Sequence, residues 1–257
     1  MRHLLLFAAL LAPLPVLAAN QCKYEAPRQL HDDLKGVRSV QIAVHAEDLH
    51  VTGSPSATAL TLDGRACASS KDVLDSLTVE SHRDGDQLII ELARHEGMHF
   101  NLFGSSYSSL DVNVQLPAGM PLTVAVGSGD ADVSDVQQLD SQVGSGDLHV
   151  KRIAGRFATS VGSGDVDAND IGSLSIGSVG SGDARIDGVR GDARVGSIGS
   201  GDVTIKRVGG SVRADTLGSG DLNVRDVTGD LSLGAKGSGD VDYSGVKGKV
   251  SVPRDDD

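Results

Sequence analysis

The sequence predicts an all-β fold: a single-stranded parallel β-helix (β-solenoid), right-handed, with coils of 17–19 residues. Three observations predict it. The tetrapeptide Gly-Ser-Gly-Asp occurs seven times between Gly127 and Asp240, placing aspartates at Asp130, Asp147, Asp165, Asp183, Asp202, Asp221 and Asp240. The spacings of 17, 18, 18, 19, 19 and 19 drift too little for unrelated turns, so each interval is one structural unit stacked on the last. Between the tetrapeptides, apolar and polar residues alternate with the period of a strand, and helical character is confined to Lys71–Leu77.

The chain opens with Met1-Arg2-His3, an apolar run from Leu4 to Leu17 broken by Pro13 and Pro15, and the small-residue site Val16-Leu17-Ala18. That is the layout of a secretory signal, so residues 1–19 read as a leader and the protein as exported, to the periplasm or to the cell surface. The run is too short to span a membrane. Asn20-Gln21 ahead of Cys22 do not suit a lipid anchor, and no second apolar run is seen, so no integral segment is expected after cleavage. In an exported chain the two cysteines, Cys22 and Cys67, read as a disulfide closing 44 intervening residues, worth roughly 2 to 4 kcal/mol, with free thiols the alternative.

Residues 20–38 are polar and charged and read as a lead-in that caps the first open edge. From Ser39 to Val252 the chain reads as solenoid. Short alternating strands are expected at Val40–Val44, Leu49–Val51, Leu60–Leu62, Leu77–Val79 and Leu88–Ile90, then at Leu110–Leu116 after a serine-rich break.

In the repeats, counting from each aspartate, apolar residues recur one, three and six positions on, as in Val203, Ile205 and Val208 or Leu222, Val224 and Val227. A corner follows, marked by Gly155, Gly191, Gly210, Gly229 and Gly248, and then a second strand such as Val212-Arg-Ala214. The residue before each tetrapeptide is apolar from Val126 to Leu217, with Lys236 out of pattern. No coil can bury these positions alone, but coils stacked at about 4.8 Å can, and seven rungs span about 29 Å.

The Gly-Ser-Gly-Asp corner admits several readings. Glycine tolerates a positive φ at a repeated bend, and Ser and Asp can bond backbone N–H groups that a corner leaves unpaired. Against this, a column of seven carboxylates repels by roughly 1 kcal/mol per neighbouring pair in water. Hydrogen bonds, flanking Lys and Arg, or a weak column of bound cations could offset that. A specific calcium site fits less well, because the β-roll pattern GGxGxD sets its carboxylate two residues after glycine and here Asp follows directly.

His95-Glu96-Gly97-Met98-His99 satisfies HExxH, which on a helix sets two imidazoles on zinc with the glutamate as base. Here Gly97 sits inside the would-be helix and a strand precedes it, so an exposed loop competes with adventitious metal binding and with a metallohydrolase through His95, Glu96 and His99. No nucleophile elbow, P-loop or dinucleotide fingerprint is present, and no catalytic residue or cofactor is read from the sequence. A net charge of −12 argues against nucleic acid, and favours cations or basic surfaces as partners. Aromatic residues at 3 % with no Trp leave few stacking platforms for sugars.

At the C-terminal end Lys236, Lys247 and Lys249, with Pro253 opening the acidic tail 253–257, read as devices that blunt an edge strand, since solenoid ends otherwise invite self-association.

An export signal, strands that end in a Leu116-Pro117 turn, and repeated Gly-Ser-Gly-Asp-apolar-x-apolar segments together resemble the bacterial "putative adhesin" domain family, a β-strand-repeat family. The resemblance covers roughly 39–252. It implies a non-enzymatic module for adhesion or cell-envelope interaction, with a surface or envelope ligand. A cation-stabilised structural repeat protein of the periplasm is the alternative.

Overall fold

The computed structural model describes residues 22–94 and 107–253. The leader, the His95–His99 motif and residues 254–257 lie outside the described residues. The N-terminal part contributes β1 (Tyr24–Asp33), β2 (Ser39–Val44), β3 (Asp48–Ser54), β4 (Ala59–Ala68), helix α1 (Lys71–Ser76), β5 (Leu77–Asp84), β6 (Gln87–Arg94) and β7 (Ser108–Pro117). The repeats contribute β8 (Leu122–Val126), β9 (Ala131–Ser134), β10 (Leu139–Val143), β11 (Leu148–Val161), β12 (Val166–Val179), β13 (Ala184–Val189) and β14 (Ala193–Ile198). They continue through β15 (Val203–Val208), β16 (Val212–Leu217), β17 (Leu222–Val227), β18 (Leu231–Lys236), β19 (Val241–Val246) and β20 (Val250–Ser251).

The fold is a β-solenoid flattened into two facing sheets. Strands that leave the Gly-Ser-Gly-Asp corner form the first sheet, in the order β1-β4-β7-β3-β9-β11-β12-β13-β15-β17-β19. Strands that enter the corner form the second, in the order β5-β6-β2-β8-β10-β11-β12-β14-β16-β18-β20. The long strands β11 and β12 belong to both, each bending across the second corner.

From β3 and β2 to the C-terminus the stack follows the parallel pattern the repeat predicts. Val189, Val208 and Val227 are register partners on successive rungs and are buried, as are Ile186, Ile205 and Val224. The regular core belongs to this part because each rung covers the apolar side chains of the one before it.

The N-terminal third departs from simple coiling. The β2–β3 coil does not end the stack: β6 pairs with β2 and β7 with β3 on its outer side. Beyond them β4 and β5 run antiparallel to β7 and β6, and β1 lies antiparallel on β4 as the outermost strand of the first sheet. The polar lead-in is thus largely a ten-residue strand, exposed on one side and half-buried on the other.

Helix α1 sits at this end with Val73 and Leu74 buried and Ser70 capping its N-terminus. Arg28 of β1 donates from Nε to the Leu77 carbonyl (2.7 Å) and from Nη2 to the Leu74 carbonyl (2.8 Å), which also accepts the Leu77 N–H, and so ties β1 to the C-terminal end of the helix. Cys22 and Cys67 form a disulfide, with S–S 2.06 Å, that ties the start of β1 to β4.

Candidate functional site: the stacked corner and the first face

At each Gly-Ser-Gly-Asp corner the chain keeps bonding to the rung before it. The Gly180, Ser181 and Gly182 N–H groups donate to the carbonyls of Val161 and Gly162 at 2.8–3.2 Å, and this pattern recurs up the stack. The aspartate N–H finds no carbonyl, and the previous aspartate supplies the acceptor. Asp147, Asp165, Asp183, Asp202, Asp221 and Asp240 each donate their N–H to the Oδ1 of the aspartate one rung earlier, at 2.9–3.2 Å. The ladder is a set of backbone substitutes, and these charge-assisted bonds offset the repulsion between neighbouring carboxylates. Arg185 adds to the offset, lying 3.3 Å from Asp165 Oδ2 and 2.6 Å from Asp183 Oδ2.

The corner glycines need correction. None of them adopts the left-handed conformation, so positive φ is not why they are glycine. Their reason is close stacking. A Cβ on the second glycine of the tetrapeptide would lie 1.8–2.0 Å from the carbonyl oxygen one rung earlier, from Gly129 through Gly239. Positive φ falls instead five residues after each aspartate, at Asp135, Arg152, Asp170, Gly188, Arg207, Asp226 and Gly245. Five of these seven are charged residues, in a conformation that costs a non-glycine residue about 1 kcal/mol. Some are tied across rungs: Arg152 grips Asp135 with two 2.6 Å bonds, and Arg207 lies 2.7 Å from Asp187.

The column of aspartates continues for two further rungs: Asp48 is in register with Asp130, whose N–H acts on its carboxylate, and Asp111 is the register partner of Asp48 on β7. A signal was present in the sequence: Asp48-Leu-His-Val51 repeats Asp147-Leu-His-Val150, and Asp111-Val-Asn-Val114 matches Asp221-Leu-Asn-Val224 in type. The corner before Asp48 is His45-Ala46-Glu47 rather than Gly-Ser-Gly. There the buried Glu47 turns its Oε2 back onto the N–H groups of His45 and Ala46, at 2.9 Å each.

Two residues after the aspartates, on the outer side of the first sheet, histidines and acids alternate over four rungs as His50, Asp132, His149 and Asp167. His50 Nδ1 lies 3.0 Å from Asp132 Oδ2 and its Nε2 lies 3.7 Å from Asp111 Oδ1, while His149 Nδ1 lies 3.8 Å from Asp167 Oδ2. With Asp48, Asp130, Asp147 and Asp165 alongside, this half of the first face is a strip of carboxylates.

Burial first, and then the carboxylates of Asp130 and Asp111, push the Asp48 carboxyl above its ordinary value of 3.8, against the opposing pull of His50 and the Asp130 N–H. A carboxyl raised on folding contributes stability that is complete below its unfolded pKa and lost as pH rises through the folded one. Asp48→Asn keeps an acceptor for the Asp130 N–H and removes the charge. It is expected to raise the melting temperature at neutral pH, with the gain vanishing well below pH 3.8; a gain equal at both ends of a pH series of melts would contradict this origin.

A second expectation separates hydrogen bonding from cation binding in the ladder. Asp202 accepts from Asp221 and donates to Asp183. Asp202→Ala loses the acceptor and should cost about 1 kcal/mol, whereas Asp202→Asn keeps it and should be nearly neutral. Thermal melts of both, with and without chelator, decide. A chelator-sensitive wild type with Asp202→Asn as damaging as Asp202→Ala would favour bound cations.

A family model described as Toastrack DUF4097 matches residues 37–254. The chain belongs to the Toastrack DUF4097 family. The Toastrack match spans both the rearranged N-terminal rungs and the regular coils. Among solved structures, a "putative lipid binding protein" from Parabacteroides distasonis is 17 % identical, covers 90 % of this chain and 94 % of its own, and superposes with a TM-score of 0.54. It shares the Toastrack fold. A "putative adhesin" from Bacteroides fragilis is 13 % identical over 90 % of this chain and 98 % of its own, with a TM-score of 0.47. Another from Parabacteroides merdae is 13 % identical over 90 % and 94 %, with a TM-score of 0.45. No curated protein matches this Toastrack chain. Among the described residues, no helix is long and apolar enough to cross a membrane.

Proposed function

We propose that this Toastrack protein is exported and works without catalysis, as an adhesion or cell-envelope interaction module that engages a basic surface through its first face. The observation that carries the reading is the register and charge of that face. Asp111, Asp48, Asp130, Asp132, Asp147, Asp165 and Asp167 stand in two columns over five rungs, set by strand register on one sheet. Such a strip meets an extended partner by many weak contacts, which give specificity and association rate more than single-site affinity. The signal-like leader, the disulfide and the net charge of −12 support the same reading. The fold neighbour from Parabacteroides distasonis carries a lipid-binding name, but an acidic face repels anionic headgroups.

Fractionating cells that make a tagged protein, with protease shaving of intact cells, tests the proposal. The tag is expected in the envelope and to be lost on shaving. Retention in the cytosol would reject export, and an envelope protein fully protected from protease would reject adhesion.

A further inference from the structure

The second corner of the coil gathers charge opposite in sign to the aspartate ladder at the first. Lys206 and Arg225 are register partners on β15 and β17, so two exposed bases stand one above the other, an arrangement that destabilises a sheet. Arg207 beside them holds a left-handed bend that Gly188 and Gly245 make on their own rungs with no side chain at all. Lys247, also exposed, follows on the next rung. Two clefts of about 460 and 400 Å³ share Arg207 and Gly209, and so run on as one groove along this corner from Asn169 to Lys247. In its lining Asp170 is neutralised by Arg190 and Asp187 by Arg207. What remains is Asp226 against Lys206, Arg225 and Lys247, none of which pairs with a carboxylate among the described residues. The edge thus keeps an excess of positive charge on a chain whose net charge is −12.

We propose that this groove binds a linear phosphate polymer, laid along the stack of rungs. The three unpaired bases fall on three successive rungs spaced at about 4.8 Å, which suits a file of anions better than a single one. A phosphate group has several acceptor oxygens, so one group can take bonds from Lys206 and Arg225 together and turn their mutual repulsion into shared attraction. Thr228 adds a hydroxyl to the same wall. Val189, Val208 and Val227 beneath the groove are buried, so the edge has no apolar group to insert into a bilayer. No aromatic residue lines it, which leaves nucleic-acid bases nothing to stack on. The aspartate ladder repels the same polymer and confines it to the second corner. The inference does not rest on the adhesion reading, which concerns the acidic face.

Titrating the full chain with fluorescent polyphosphate, at low and at high salt, tests it. The variant Lys206→Ala/Arg225→Ala/Lys247→Ala is compared with Lys23→Ala/Lys35→Ala/Lys71→Ala, which removes the same charge at the N-terminal end. Wild type is expected to bind with an affinity that falls as salt rises. The second-corner variant should bind about tenfold more weakly or worse, with a shallower salt dependence, while the N-terminal variant stays within about twofold of wild type. All six side chains are exposed, so both variants should keep the wild-type melting temperature. No binding at low salt, or equal losses in the two variants, would overturn the proposal. So would inorganic phosphate that binds as tightly as the polymer, or phosphatidylglycerol vesicles that bind through the same three bases where polyphosphate does not.

Discussion

Gly182→Ala is expected to destabilise the solenoid by about 3 kcal/mol or more, while Ser181→Ala beside it stays within about 0.5 kcal/mol of wild type. The added methyl would lie 1.8 Å from the Gly164 carbonyl oxygen, which is backbone and cannot rotate away. Relief requires the two rungs to separate by more than an ångström out of a spacing of about 4.8 Å. That separation strains three bonds at once: Ser181 N–H and Gly182 N–H to Gly162, and Asp183 N–H to Asp165. Each is worth about 1 kcal/mol net. Ser181 already carries a Cβ and is exposed, so its hydroxyl can be lost at little cost. Denaturant titration of the pair measures the contrast, and equal midpoints would show that the glycines are not required for close stacking.

Val208→Asp should be worse still. Val208 is 1 % exposed and stacks between Val189 and Val227, which are equally buried. A carboxylate there has no partner, and burying it costs about 3 to 5 kcal/mol, a large share of the roughly 5 to 15 kcal/mol that holds a domain folded. The expected product is unfolded or aggregated. Thr204→Asp, four residues earlier on β15, faces outward between Arg185 and Asn223 and should melt close to wild type. Comparable losses from the two substitutions would mean that the inward register is misassigned.

Much of the regular stack was legible because two periods coincide in it. The alternation of Val203-Thr-Ile205 sets which side faces in, and the 19-residue return to Leu222-Asn-Val224 sets what it stacks on. Where one period fails, legibility fails with it. The pairing of β6 with β2 joins residues 48 positions apart, and no local pattern in either strand announces it. Asp48 and Asp111 went unread because the tetrapeptide, not the segment after it, was the visible mark. The charged residues at Asp135, Arg152, Asp170, Arg207 and Asp226 hide a left-handed bend that glycine would have signalled. The corner glycines carried the opposite ambiguity, since one residue type serves both a positive φ and a close approach, and only the packed rungs tell them apart.

The aspartate ladder also has a direction. From Asp130 to Asp221 each Oδ1 accepts from the rung that follows it in the chain, so a rung offers its carboxylate as a template for a successor that has yet to form. Order can therefore grow from the clamped N-terminal end toward the C-terminal one, in the sequence in which a ribosome delivers the segments, with each new corner of these repeats meeting an acceptor already in place. Loss of order runs the other way, as a zipper opening from its last tooth. Amide hydrogen exchange would record this as a gradient, slowest near Asp165 and fastest at Asp240, in a molecule whose rungs are otherwise near copies of one another.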